Sequence, residues 1–169
     1  MNDYLFFERQ KFRQALVWIL LIPINIFFIY SLVSQLIFHS EVGTKPMGNI
    51  ALIFSSILVF VVSALFIIMR LDTIIREDGI YYKFFPFHKE FRKIDWTEIK
   101  DIYLRKYNPI TEYGGWGPKR GPSGRAFNVS GNQGLQLILN DGNKVLLGTQ
   151  KSDDLTQVLN RLNSTRKNT

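Results

Sequence analysis

The chain has 169 residues, a net charge of +7 and a mean hydropathy of +0.01. It contains no cysteine, which excludes disulfides, thiol catalysis and Cys-based zinc sites. The near-zero hydropathy averages two unlike parts: residues 14–69 carry almost no charge, whereas residues 70–169 hold 17 Lys/Arg against 11 Asp/Glu. A basic excess of that kind favours anionic neighbours, with lipid headgroups ahead of nucleic acid.

Residues 1–13, MNDYLFFERQKFR, mix aromatic and charged side chains. They read as an interfacial segment, with Tyr4, Phe6, Phe7 and Phe12 suited to a membrane surface beside Arg9, Lys11 and Arg13. Gln14–Ser40 and Pro46–Met69 then lack Asp, Glu, Lys and Arg altogether. A bilayer core needs about 20 apolar residues in a helix, so each run is long enough to span. The first run is too long for the apolar part of a cleavable signal and lacks a small-x-small cleavage site. The reading is therefore a retained two-helix transmembrane hairpin over residues 14–70. Pro23 removes a backbone donor and is expected to kink the first helix. Ser31, Ser34 and Gln35 share one face of the first span, and Ser56 and Ser63 lie seven apart on the second. Small polar residues of this kind allow close helix approach in lipid. Basic residues flank both distal ends, and only Glu41 and Lys45 charge the connecting loop. That asymmetry predicts a cytoplasmic (inner) membrane protein, multi-pass, with N and C termini both inside and Ser40–Gly48 outside.

From residue 71 the period changes to that of a soluble β domain, expected over 71–165 with a tail at 166–169. Glu77-Asp78-Gly79 is a hairpin turn signal between Thr73–Arg76 and Ile80–Phe85. Pro86 interrupts, Lys89–Ile94 reads as a strand, and another runs from Trp96 to Tyr107. A long loop from Asn108 to Gly124 follows, then strands at Arg125–Ser130, Gly134–Leu139 and Lys144–Gly148, the last two joined by Asn140-Asp141-Gly142-Asn143. Leu155, Val158, Leu159 and Leu162 recur at helical spacing behind Ser152, Asp153 and Asp154, which suit a helix start. About seven antiparallel strands closed by a C-terminal amphipathic helix is the element order of a pleckstrin-homology (PH)-like barrel.

Four stretches carry a family resemblance: Phe7-Glu8-Arg9-Gln10-Lys11-Phe12-Arg13, Glu112-Tyr113-Gly114-Gly115-Trp116-Gly117, Ala126-Phe127-Asn128-Val129-Ser130-Gly131 and Leu147-Gly148-Thr149-Gln150-Lys151. With the hairpin, they make the chain resemble uncharacterised bacterial proteins that join two transmembrane helices to a C-terminal PH-like domain. The resemblance implies an architecture and no settled activity; PH-like domains in general bind phosphoinositides, peptides or each other. Glu77-Asp78-Gly79 departs from the lysine-rich first hairpin of eukaryotic lipid-binding members, so that route to phosphoinositides is not carried over.

The glycine-rich loop supplies the candidate site: Tyr113, Gly114, Gly115, Trp116, Gly117, Lys119, Arg120 and Arg125. Paired glycines allow positive φ or close backbone approach, and a tryptophan beside three cations suits an anionic or protein contact. The competing reading is a structural loop with Trp116 packed on the barrel. No Gly-Lys-Ser/Thr phosphate loop is present. His39 and His88 are too far apart in sequence for a local metal motif, and no acidic cluster has cation-binding spacing. Neither a catalytic centre, a cofactor nor nucleic-acid binding is expected. The expected function is a membrane-anchored interaction or scaffold module that binds a protein partner or a second copy. The alternative is a module that senses anionic lipid headgroups.

Overall fold

In the computed structural model, which describes residues 4–12 and 14–167, the chain divides into two units. One is the helical stretch within residues 14–68; the other joins residues 4–12 to residues 69–167.

The helical unit contains α1 (Ala15–Leu32), a π-helical turn at Val33–Ile37, and α2 (Asn49–Ile68). Both helical stretches are long and apolar enough to cross a membrane. α1 continues through Pro23 without interruption. The buried side chains are Ser31, Ser34, Leu52, Ser56 and Ser63, whereas most Ile, Leu and Phe side chains face outward. Asn25 Nδ2 donates to Ser63 Oγ at 2.8 Å and to the Leu21 carbonyl at 2.7 Å, joining α1 to α2. Gln35 Nε2 similarly reaches Asn49 Oδ1 (2.8 Å) and the Met47 carbonyl (2.6 Å) across the connection. The buried seam thus combines four serine hydroxyls with Leu52, flanked by the half-buried Asn25 and Gln35 amides; small residues of this kind permit close helix approach.

The second unit is mainly β, with nine strands in two sheets among the described residues. Sheet A has the order β1-β2-β3-β4, from β1 (Phe6–Lys11), β2 (Arg70–Arg76), β3 (Gly79–Phe85) and β4 (Arg92–Asp95). Sheet B has the order β5-β8-β9-β7-β6, from β5 (Ile99–Lys106), β6 (Gly117–Gly121), β7 (Gly124–Asn128), β8 (Gln133–Leu139) and β9 (Lys144–Gly148). A short helix α3 (Pro109–Tyr113) precedes β6, and α4 (Ser152–Lys167) ends the described chain.

Several expectations are corrected here. The strands form two sheets rather than a closed barrel, and there are nine rather than about seven. They are not all antiparallel, because β7 and β9 run parallel, with Ala126 opposite Leu146. The segment read as interfacial is instead strand β1, paired along its length with β2 from Phe6↔Ile75 to Lys11↔Arg70. Its alternation was disguised because the inward set is Phe6, Glu8 and Gln10, two of them polar. The β unit therefore does not begin at residue 71: the helical hairpin is inserted between its first two strands. A fragment starting there would lack an edge of sheet A. Within the long loop, α3 and β6 were also missed. The predicted tail is shortened, since α4 runs through Lys167; residues 168–169, and Arg13 of the basic flank, lie outside the described residues.

The core lies between the sheets. Leu71, Ile75, Ile80 and Phe84 from sheet A and Leu135, Leu137 and Leu147 from sheet B are all but completely buried. Tyr82 and Phe127 meet across the sheets, with ring centroids 4.9 Å apart. α4 contributes a buried Leu155, while Val158, Leu159 and Leu162 are half-buried, so the apolar stripe covers the sandwich without sealing a barrel.

Candidate functional site

The predicted loop begins with a short helix whose ends are locally determined. Asn108 Oδ1 accepts from the amides of Ile110 (3.0 Å) and Thr111 (3.1 Å), and Glu112 Oε1 accepts from the Asn108 amide at 2.8 Å. Pro109 occupies the first turn, where its missing N–H leaves no broken helical bond. Gly114 ends α3 with φ of 70°, the left-handed geometry that glycine adopts without a Cβ penalty. The amides of Gly114 and Gly115 then return to the carbonyls of Ile110 and Pro109, both at 2.8 Å. The two glycines thus terminate a helix.

Tyr113 turns inward, into a buried cluster with Tyr107, Ala126 and Leu146. Arg105 Nη2 donates to its hydroxyl at 3.1 Å and pairs with Glu112 Oε2 at 2.8 Å. That guanidinium holds the Glu112 carboxyl below its usual range. Burial pushes the neighbouring Tyr107 hydroxyl up to about 12. Trp116 is half-buried, and its indole Nε1 donates to the Gly131 carbonyl at 3.2 Å. The Gly117 amide donates to Asn128 Oδ1 at 2.9 Å. Lys119, Arg120 and Arg125 remain exposed on the β6–β7 hairpin, with Arg120 directly opposite Arg125. The eight predicted residues therefore separate: Tyr113, Gly114, Gly115, Trp116 and Gly117 have local structural partners, and the three cations form a basic hairpin at an edge. Pro118 and the cations suit β6 because an edge strand tolerates a missing donor and resists further pairing through its charges.

The four stretches that carried the family resemblance are joined to one another. Trp116 and Gly117 of the second bind Gly131 and Asn128 of the third. Glu8 of the first is buried, and its carboxylate accepts from Thr149 Oγ1 (2.7 Å) and from the Gln150 amide (2.8 Å) of the fourth. Gln10 Nε2 donates to the Gly148 carbonyl at 2.6 Å. Gln150 Nε2 in turn donates to Ser130 Oγ. These polar cross-links tie β1 of sheet A to the end of β9 in sheet B. Buried polar groups are costly unless hydrogen-bonded: both Glu8 carboxylate oxygens find donors and Gln10 Nε2 finds an acceptor, whereas Gln10 Oε1 is buried without a hydrogen-bond partner among the described residues.

A second surface feature was not predicted. β1 ends the strand order of sheet A, and beside its N-terminal half runs α4. Between them lies a groove of about 370 Å³, lined by Leu5, Phe7 and Val158 with Lys151, Asp154 and Arg161 around them. It joins the two ends of the β unit's sequence, so no local motif announces it; the available signal was the alternate exposure of Phe7, Arg9 and Lys11, which becomes legible only once β1 is known to be a strand. Among the described residues, no three His, Asp or Glu side chains come together as a metal site.

The chain matches the Family of unknown function (DUF6141) over residues 2–164. It belongs to that family. The match covers the helical hairpin and the β unit together. No match to a curated protein was found.

Proposed function

We propose that this DUF6141 protein is a membrane-anchored recognition module, in which a PH-like β unit binds a protein partner at the membrane surface. The observation that carries this reading is the open edge of β1 beside α4. An extended segment can add to a free strand edge through main-chain hydrogen bonds, with alternate side chains entering the adjoining groove. Leu5, Phe7 and Val158 offer that groove apolar contact, and the charged Lys151, Asp154 and Arg161 surround it. The two-sheet sandwich with a C-terminal helix supports the PH-like assignment.

The anchor in this reading is the hairpin, embedded in the cytoplasmic membrane. Outward-facing Ile19, Ile50 and Phe54 would be an aggregation surface in water and are suited to lipid. Because β1 and β2 pair on either side of the hairpin in sequence, both ends of the hairpin must return to one side of the bilayer. The basic flanks then favour the cytoplasm for the β unit. Reporter fusions after Gly43 and after Thr169 test this: opposite sides are expected, with Thr169 inside, and the same side for both would refute the hairpin.

The partner reading is tested on the full chain in mild detergent, by co-isolation and mass spectrometry of bound proteins. Phe7→Glu and Val158→Glu are expected to release a partner that wild type retains, while Lys119→Ala with Arg120→Ala keeps it. The reverse pattern would move the site to the β6–β7 hairpin. Retention by all variants would remove both surfaces from consideration.

A further inference from the structure

One end of sheet A is defined by the register of three strands. Lys11, the last residue of β1, lies opposite Arg70, the first of β2, and Arg70 lies opposite Phe85, the last of β3. The chain leaves for α1 just beyond Lys11 and comes back from α2 just before Arg70. Four residue steps separate Lys11 from Ala15, a reach of at most about 14 Å when fully extended, and two separate Ile68 from Arg70, about 7 Å. The chain therefore leaves sheet A and returns to it at this end. The β3–β4 turn projects from the same end, because β3 finishes there.

That turn is built to hold aromatic rings outward. Its one inward side chain is His88, which is buried against Tyr82 and Phe127 and whose Nδ1 accepts from the Phe84 amide at 3.2 Å. The His88 amide also donates to the Phe84 carbonyl at 2.8 Å. Pinned in this way, the turn leaves Phe87 56% exposed and Phe91 41% exposed. Cations surround them. Lys83 Nζ stands 5.8 Å from the Phe91 ring centroid, Arg70 stacks over Phe85 at 5.1 Å, and Lys89 and Arg92 are exposed. The acidic side chains nearby are Glu90, exposed, and Asp72, which is buried and already paired with Arg9 and Arg70.

We propose that the β3–β4 turn is a membrane-contact lip: Phe87 and Phe91 enter the headgroup region, and Lys83, Lys89 and Arg92 engage the phosphates of anionic lipids. Aromatic rings are favoured at that depth, and each basic residue near an anionic leaflet adds attraction that decays within a Debye length. The lip fixes which end of the β unit meets the bilayer and leaves the β1–α4 groove to a separate occupant. This inference rests on the hairpin lying in the bilayer.

Because the chain has no cysteine, single labels can be placed without background. The full chain is reconstituted in vesicles of phosphatidylcholine, with or without phosphatidylglycerol, with an environment-sensitive fluorophore on Glu90→Cys in the lip. The same label on Glu77→Cys, in the β2–β3 turn at the opposite end of sheet A, is the control. Lipid-borne nitroxide is expected to quench the Glu90→Cys label several-fold more than the Glu77→Cys label in anionic vesicles. Lys89→Glu with Arg92→Glu, and separately high salt, are expected to reduce that difference. Equal quenching at both positions overturns the lip. Preferential quenching that is the same without phosphatidylglycerol overturns the anionic-headgroup assignment. Alkaline extraction separates the two levels of failure: a chain washed off the vesicles refutes the embedded hairpin, whereas a retained chain with an unquenched lip refutes only this inference.

Discussion

The helical unit and the β unit bury opposite kinds of side chain. Between α1 and α2 the interior is mostly small hydroxyls, Ser31, Ser34, Ser56 and Ser63 with the one apolar Leu52, while Ile19, Ile50 and Phe54 face out. Between the β-sheets the interior is Leu71, Ile80, Leu135 and Leu137, while lysines and arginines face out. One chain thus follows two rules of burial. In the β unit apolar area is removed from water, which contributes about 25 cal/mol per Å². In the hairpin the proposed surroundings are as apolar as the side chains, so close packing and a few hydrogen bonds must hold the helices together.

That contrast can be broken most strongly in the β core. Leu137→Ala removes a fully buried side chain and is expected to cost about 2–5 kcal/mol, read as a lowered melting temperature of the full chain in nanodiscs. Phe54→Ala, at a position 71% exposed on α2, is expected to leave that transition near wild type. Equal losses would show that the two units obey one rule. A smaller effect is expected from Glu8→Ala. It leaves the Thr149 hydroxyl and the Gln150 amide without their shared acceptor, at about 1–3 kcal/mol. Hydrogen exchange at the end of β9 should rise with it, and unchanged exchange would remove Glu8 from the bridge between sheets.

In the hairpin, Asn25→Leu deletes the bond to Ser63. Interhelical hydrogen bonds in membranes average about 0.6 kcal/mol, so a loss of that order is expected in a steric-trap or unfolding assay in lipid. A loss as large as that of Leu137→Ala would mean that the amide organises the helix pair.

The smallest effect concerns acid. Burial, followed by the charge of Arg92, lowers the His88 pKa from its ordinary 6.5, and Nδ1 already serves as an acceptor. The unfolded chain therefore takes up this proton at a higher pH than the folded chain. Stability from this group is full above pH 6.5 and declines as the pH falls towards the lowered folded value. His88→Phe should flatten that slope, and an unchanged slope would assign it to other groups.

The sequence made the two apolar runs legible because charge is absent from them for more than twenty residues at a stretch. The β2–β3 and β8–β9 hairpins were legible from Glu77-Asp78-Gly79 and Asn140-Asp141-Gly142-Asn143, and α4 from its leucine spacing. β1 was hidden by Glu8 and Gln10, whose partners lie more than 130 positions away. β6, Gly117–Gly121, has no apolar period because an edge strand with Pro118 and two cations needs none. The glycine-rich stretch was conspicuous as composition, yet what its glycines do, ending α3 and leading into β6, depends on Asn108, Asn128 and Gly131. Lys119, Arg120 and Arg125 lie exposed on the β6–β7 hairpin; the groove beside β1 required long-range pairing to exist at all.

The pairing of β1 with β2 also sets an order of assembly. β1 is synthesised first, yet its partner follows only after residues 12–69 have been made. Such a contact is far from local, and contacts of high sequence separation form late. If, as proposed, the hairpin enters the bilayer, the first strand must wait on one side while both helices insert. If only one helix crossed, β1 and β2 would be left in different compartments, and Glu8 could never reach Thr149. In that proposed setting, completion of the sandwich would report that both helices had crossed, and a chain with one helix left behind would keep an unfinished sheet edge.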